Sequence, residues 1–123
     1  VLTPLAYGLA IVLDLFVAFI GVRFLLAPRT AAAGYGVLAK PDGDRAYLTV
    51  KGVRDLTYGI IGLALIAFVG ARAEAWFMLA VALVPLADTL IVLRNGGTRA
   101  AAFGIHFATA VIVLLSAALL FAV

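Results

Sequence analysis

Five residues able to carry charge interrupt stretches that are otherwise apolar: Asp14, the neighbours Arg54 and Asp55, Asp88 and His106. Three carboxyl groups, a guanidinium and an imidazole are the parts of an acid/base site. One acid gives a proton to oxygen, a second carboxylate or the imidazole takes one, and the cation holds an oxygen or anion. Their spacing puts companions beside them. Lys51, Arg54, Asp55, Tyr58 and Gly62 recur at helical intervals and share a stripe. Ala10, Asp14 and Gly21 form a second stripe, Pro85, Asp88 and Thr89 a third, and Arg99, Ala102, His106 and Thr109 a fourth. Small residues beside the polar ones let helices approach closely or leave room for a ligand.

Charge counting limits what these groups can do together. Asp14, Asp55 and Asp88 bring three negative charges, and Lys51 and Arg54 bring two positive ones. The remaining carboxyl must share a proton or pair with protonated His106, which makes a proton-transfer unit. The same inventory also builds a satisfied network that only locks helices, with Arg54–Asp55 pairing across to Asp88 or Asp14. Lys51 then snorkels to the surface and Tyr58 packs.

Other chemistries find no support. Cysteine is absent, which excludes disulfides and thiolate metal sites. A single His makes a haem site poor, and a divalent metal among the aspartates would be repelled by Lys51 and Arg54. Gly34-Tyr35-Gly36 signals a turn and no phosphate loop, and Ser116 has no base near its expected depth. Neither cofactor nor metal is therefore expected. The net charge of +3 comes with no basic run interleaved with aromatics, so nucleic acid is not an expected partner.

The elements that must position these residues are spans. Of the 123 residues 67% are apolar and 12% charged, and mean hydropathy is +1.25. Soluble domains carry roughly 45–50% apolar and about 25% charged residues. The chain therefore reads as one all-α membrane domain over 1–123, a bundle of four transmembrane helices at about 4–27, 45–70, 74–94 and 98–123. Thr3-Pro4 is expected to open the first helix and Pro28 to stop it, with 28–44 as the longest loop. The turn Asp42-Gly43-Asp44 leads into the second helix, with Asp44 as its cap. Pro85 should kink the third helix and free the carbonyl near Val81, and Thr98 should cap the fourth. Tyr7, Trp76 and Phe77 lie near span ends as interface anchors. The first apolar stretch is too long for a cleaved signal peptide.

Eight of the nine basic residues flank the first and third loops, and only Arg72 lies on the other side. The positive-inside rule then puts those loops in the cytoplasm and both termini outside, here in a bacterial inner membrane. At ~1.5 Å per residue Asp88 is about 9 Å inside Arg94 and His106 about 11 Å beyond Arg99. Asp55, Asp88 and His106 can thus meet in the cytoplasmic half, with Asp14 deeper.

The chain resembles an uncharacterised family of small four-helix membrane proteins grouped with the DoxX-like superfamily. The likeness is carried by Arg23-Phe24-Leu25-Leu26-Ala27-Pro28, Gly34-Tyr35-Gly36, Lys51-Gly52-Val53-Arg54-Asp55-Leu56 with Gly59, Pro85 with Asp88, and His106. It covers nearly the whole chain, and the Lys-Gly-Val-Arg-Asp stretch is its most specific part. The resemblance implies a four-helix membrane bundle. Members of the wider superfamily are linked to quinone-coupled redox complexes and receptor assembly. Some members of this group resemble proteins found beside secondary-metabolite enzymes, which implies a lipophilic small molecule as ligand.

The residues and the resemblance together predict an intramembrane site for a lipophilic small molecule, reached from the bilayer or the cytoplasmic surface. Asp55, Asp88 and His106 would handle protons and Asp14 would set the deep end. Arg54, Lys51 and Tyr58 would bind substrate. The reaction would be an isomerisation, a cyclisation or the opening of an epoxide, which an Asp–Arg–Asp cluster suits because one acid protonates oxygen while the other activates water. Two other readings compete: a proton-coupled exporter that works as a homo-oligomer, and an assembly subunit whose polar network only packs helices.

Overall fold

The computed structural model describes residues 1–40 and 43–123. Pro41 and Asp42, and with them part of the expected Asp42-Gly43-Asp44 turn, lie outside the described residues. The chain forms helices α1 (Leu2–Leu26), α2 (Pro28–Tyr35), α3 (Arg45–Val69), α4 (Ala71–Arg94) and α5 (Arg99–Phe121). No strand occurs among the described residues. Helices α1, α3, α4 and α5 are each long and apolar enough to cross a membrane. At ~1.5 Å per residue each is on the order of 35 Å long, enough for a hydrocarbon core of about 30 Å. Val12, Leu15, Phe68, Leu83 and Leu115 lie exposed on their outer faces. Aliphatic and aromatic side chains turned outward from an apolar helical bundle are what lipid requires, and the protein is an integral membrane protein.

The bundle is two close pairs. In the first, α1 lies against α3 through glycine and alanine. A Cβ on Gly59 would stand 2.5 Å from the Asp14 carbonyl oxygen and 2.6 Å from Ala18 Cβ, and one on Gly21 would stand 2.6 Å from the Gly52 carbonyl oxygen. Helices meet this closely in lipid only where side chains are missing, because packing rather than water exclusion holds them. In the second pair α4 lies along α5. Ala75, Met78 and Ala82 pack with Val113, Ala117 and Leu120, and Ala6 and Ala10 of α1 join the same cluster.

Several helix ends differ from the sequence reading. Helix α1 starts at Leu2 with no side-chain cap, two residues before Pro4, so Thr3 does not cap it. Pro28 does follow the end of α1, but it also opens α2, so the expected loop over 28–44 contains a helix. Proline at the first helical position loses no hydrogen bond and is already near helical φ. Gly34 lies inside α2, and Gly36 ends it in the left-handed region at φ 100°, with the Val37 N–H donating to the Ala32 carbonyl. Asp44 precedes α3 without capping it, since its carboxylate accepts from the Lys40 N–H at 2.6 Å. Thr98 does cap α5, accepting from the Ala101 N–H at 3.0 Å. Helix α4 is interrupted at Ala82, within a turn of Pro85, whose missing N–H leaves the Val81 carbonyl without its helical donor. Both α3 and α5 contain a widened π turn, at Leu65–Val69 and Ala102–Phe107.

Candidate functional site

A cavity of about 280 Å³ lies between the two helix pairs. Its walls are apolar, among them Phe16, Ile20, Phe77, Val81, Val84 and Val113, and its polar groups gather at the end covered by α2. Helix α2 lies across that end with Ala31 and Ala32 buried beside Phe24 and Leu48, and it delivers Tyr35 to the cavity.

Tyr35 is the hub of the polar end. Its hydroxyl donates to Asp88 Oδ2, and its backbone carbonyl accepts from His106 Nε2 at 2.6 Å. A carbonyl only accepts, so the Nε2 of His106 carries the hydrogen and Nδ1 is left as the acceptor of the neutral ring. The Tyr35 ring lies 4.1 Å from the His106 ring and meets Phe24 edge-on at 5.7 Å. One residue of a short helix thus ties α1, α4 and α5 together.

Lys51 is held on the opposite wall. Its ammonium pairs with Asp55 Oδ2 at 2.8 Å and lies 4.2 Å from the Tyr35 ring centroid and 4.8 Å from that of Phe24. A cation on two aromatic faces and a carboxylate is a fixed charge, and it does not snorkel away. Asp55 is 5% exposed, and Lys51 supplies the hydrogen bond to its buried carboxylate. Asp88 follows Pro85 on the face of α4 that lines the cavity, and the Thr89 hydroxyl donates to the Pro85 carbonyl at 2.8 Å. His106 sits in the π turn of α5, a departure from regular helix that recurs at functional sites.

The structure brings Asp14, Lys51, Asp55, Tyr58, Asp88 and His106 to the wall of one cavity. Arg54 does not join them. It is exposed and lies outside the cavity, so the expected Asp–Arg–Asp arrangement does not form and Lys51 supplies the cation. The reason is angular: neighbours on a helix point about 100° apart, and Asp55 takes the inward direction. Phe77, expected at the membrane interface, lines the cavity, while Trp76 is exposed and meets Phe121 edge-on at 5.0 Å.

Two participants escaped the sequence reading. Tyr35, expected only in a turn between two glycines, is turned inward by the left-handed Gly36 and the packing of α2. Glu74, expected at the start of a span, is 0% exposed, and its carboxyl is buried near that of Asp14. Its place in the first turn of α4, where a helix favours a negative side chain, is the signal that was available.

The different placement of Lys51 and Arg54 has a measurable consequence. Lys51→Met is expected to cost about 1–3 kcal/mol, since it leaves a buried carboxylate without its donor. Arg54→Ala should stay within about 0.5 kcal/mol of the parent, as exposed substitutions do. Thermal unfolding of both variants in one detergent checks the contrast, and equal losses would contradict it.

Comparison with known proteins adds the family. The chain belongs to the family described as a domain of unknown function (DUF4267), whose model matches residues 15–120. No curated protein and no solved structure matches the chain.

Proposed function

We propose that this member of an uncharacterised family binds a lipophilic small molecule, with an oxygen at one end, in the cavity between its helix pairs. The carrying observation is the asymmetry of that cavity: apolar walls along its length, and Tyr35, Lys51, Asp55, Asp88 and His106 gathered at one end. Binding sites for small ligands have this build, mostly apolar with a few fixed polar groups that set orientation.

The polar end can move protons. Tyr35 already donates to Asp88, so a ligand oxygen that took the place of the carboxylate would receive that hydrogen bond. Lys51 puts a positive charge at the same end, where it would favour negative charge developing on the ligand oxygen. His106 Nδ1 and the Asp88 carboxylate are the available bases. This set suits an isomerisation or cyclisation that begins and ends with proton transfer. Opening of an epoxide drew its main support from an Asp–Arg–Asp arrangement, and with Arg54 outside the cavity it loses that support.

The orientation that goes with this reading puts the α2 end at the cytoplasmic face of a bacterial inner membrane, because eight of the nine basic residues flank that end. The ligand would enter from the bilayer or past α2. Kinship with the DoxX-like superfamily rests on the Lys51-Gly52-Val53-Arg54-Asp55 stretch and belongs with the same proposal.

The test begins with protein purified in mild detergent. Organic extracts are compared by mass spectrometry for the parent and for Val84→Phe, which fills the cavity. A lipophile held by the parent and lost from Val84→Phe is the expected result. Asp88→Asn should keep the lipophile bound and abolish its conversion. Equal amounts of the same lipids in the parent and in a folded Val84→Phe protein would overturn the proposal.

A further inference from the structure

Away from the polar end of the cavity, the bundle buries two more carboxyl groups and a hydroxyl. Asp14 of α1 is 2% exposed, and Glu74 of α4 and Ser116 of α5 are 0% exposed. Asp14 Oδ2, both oxygens of Glu74 and the Ser116 hydroxyl have no hydrogen-bond partner among the described residues. Asp14 nevertheless lines the cavity, and its carboxyl is seated against Gly62 of α3, whose missing side chain makes the space.

An ionised carboxylate is acceptor-only, so two of them facing each other have nothing to share and repel. Yet the Asp14 and Glu74 carboxyl groups are both buried and near enough to act on one another. Among the described residues no ion pair links a cation to either carboxyl. Lys51 is held by Asp55, and the Arg72 guanidinium lies over the Phe121 ring at 5.8 Å. Around Asp14, α3 presents Gly59 and Gly62, with Tyr58 a turn away on the cavity wall. The buried face of α5 carries the neutral Ser116 hydroxyl. One hydrogen between the two carboxyls turns the contact into a short, strong O–H···O bond.

We propose that Asp14 and Glu74 form a binding site for a single proton at the floor of the cavity, joining α1 of one helix pair to α4 of the other. The proton completes the contact between the pairs at this depth. A molecule in the cavity meets Asp14, so the ligand and the proton share a wall. By linkage, a ligand that touches Asp14 differently in the protonated and deprotonated states changes proton affinity, and the proton changes ligand affinity in return.

The experiment uses the full chain in lipid vesicles and needs no bound ligand, so its failure is distinct from failure of the ligand reading. Infrared spectra at neutral pH are expected to show the C=O stretch of a protonated carboxyl, shifted in D₂O. Both Asp14→Asn and Glu74→Gln should lose it, because the amide N–H takes the place of the proton. A hydrophobic carbodiimide, which attaches to protonated carboxyls in apolar surroundings, should add one adduct per chain at Asp14 or Glu74. Sodium should not protect against it. Absence of the band together with absence of the adduct would overturn the proposal. So would an adduct at Asp88 only, or sodium protection, which would make the pair a cation site. A band retained in both amide variants would equally overturn it.

Discussion

Gly59→Ala is expected to lower the thermal midpoint of this protein sharply, although alanine is the better helix former. The propensity gain is about 1 kcal/mol. Against it stands a Cβ placed 2.5 Å from the Asp14 carbonyl oxygen and 2.6 Å from Ala18 Cβ. Overpacking costs about 1–3 kcal/mol where flexible side chains can give way. Here one obstacle is the α1 backbone, so α1 and α3 must separate along their length, and the upper part of that range is expected as the net loss. Lipid offers no compensating hydrophobic force to draw the pair together again. Gly8→Ala is the matched control. A Cβ there meets nothing within 4 Å, so the same chemical change should leave stability unchanged or raise it. Thermal unfolding followed by circular dichroism in one detergent separates the two. If Gly59→Ala melts with Gly8→Ala, the close α1–α3 contact is not how the first pair is held.

The second large effect is expected at Tyr35. Tyr35→Ala removes the ring contacts with Phe24 and His106, the face beneath the Lys51 ammonium, and the hydrogen bond to Asp88. Truncation of a large aromatic side chain in a packed site costs about 3–5 kcal/mol. The loss should concentrate in α2, because Tyr35 is its attachment to α4 and α5. Hydrogen exchange should speed up first at the Gly36 and Val37 amides, which close α2 on Ala32. Tyr35→Phe keeps the ring and removes only the donor, at about 1–3 kcal/mol. A double-mutant cycle with Asp88→Asn isolates the hydroxyl–carboxylate coupling, and additive losses would show that the two side chains act independently.

Much of this architecture is legible in the sequence because lipid imposes few and simple demands. A span must be apolar, about 20 residues long and hydrogen-bonded within itself. The four long helices follow from the apolar runs and from the breaks at Pro28, Gly70 and Asn95-Gly96-Gly97. Asp14, Asp55, Asp88 and His106 stand out for the same reason, since an ionisable group amid apolar residues must turn inward.

What the sequence left open was decided by rotation and by contacts distant along the chain. Lys51, Arg54, Asp55 and Tyr58 cover a wide arc of α3, and the heptad-like spacing alone does not say which part faces in. Gly52, Gly59 and Gly62 settle it: they press α3 onto α1, which points Lys51 and Asp55 at the cavity and leaves Arg54 outside. Tyr35 enters the site because the eight residues Pro28–Tyr35 form a helix that packs on Phe24 and Leu48, a segment too short for periodicity to reveal. Glu74 meets Asp14 because α4 packs with α1 and α5 at that level, whereas its position in the sequence marks only the beginning of a helix. Composition and spacing therefore determined that this is a bundle of membrane helices with polar groups inside it. The helix rotations and the seat of α2 decided which of those groups meet, because a side chain's direction depends on what its helix packs against.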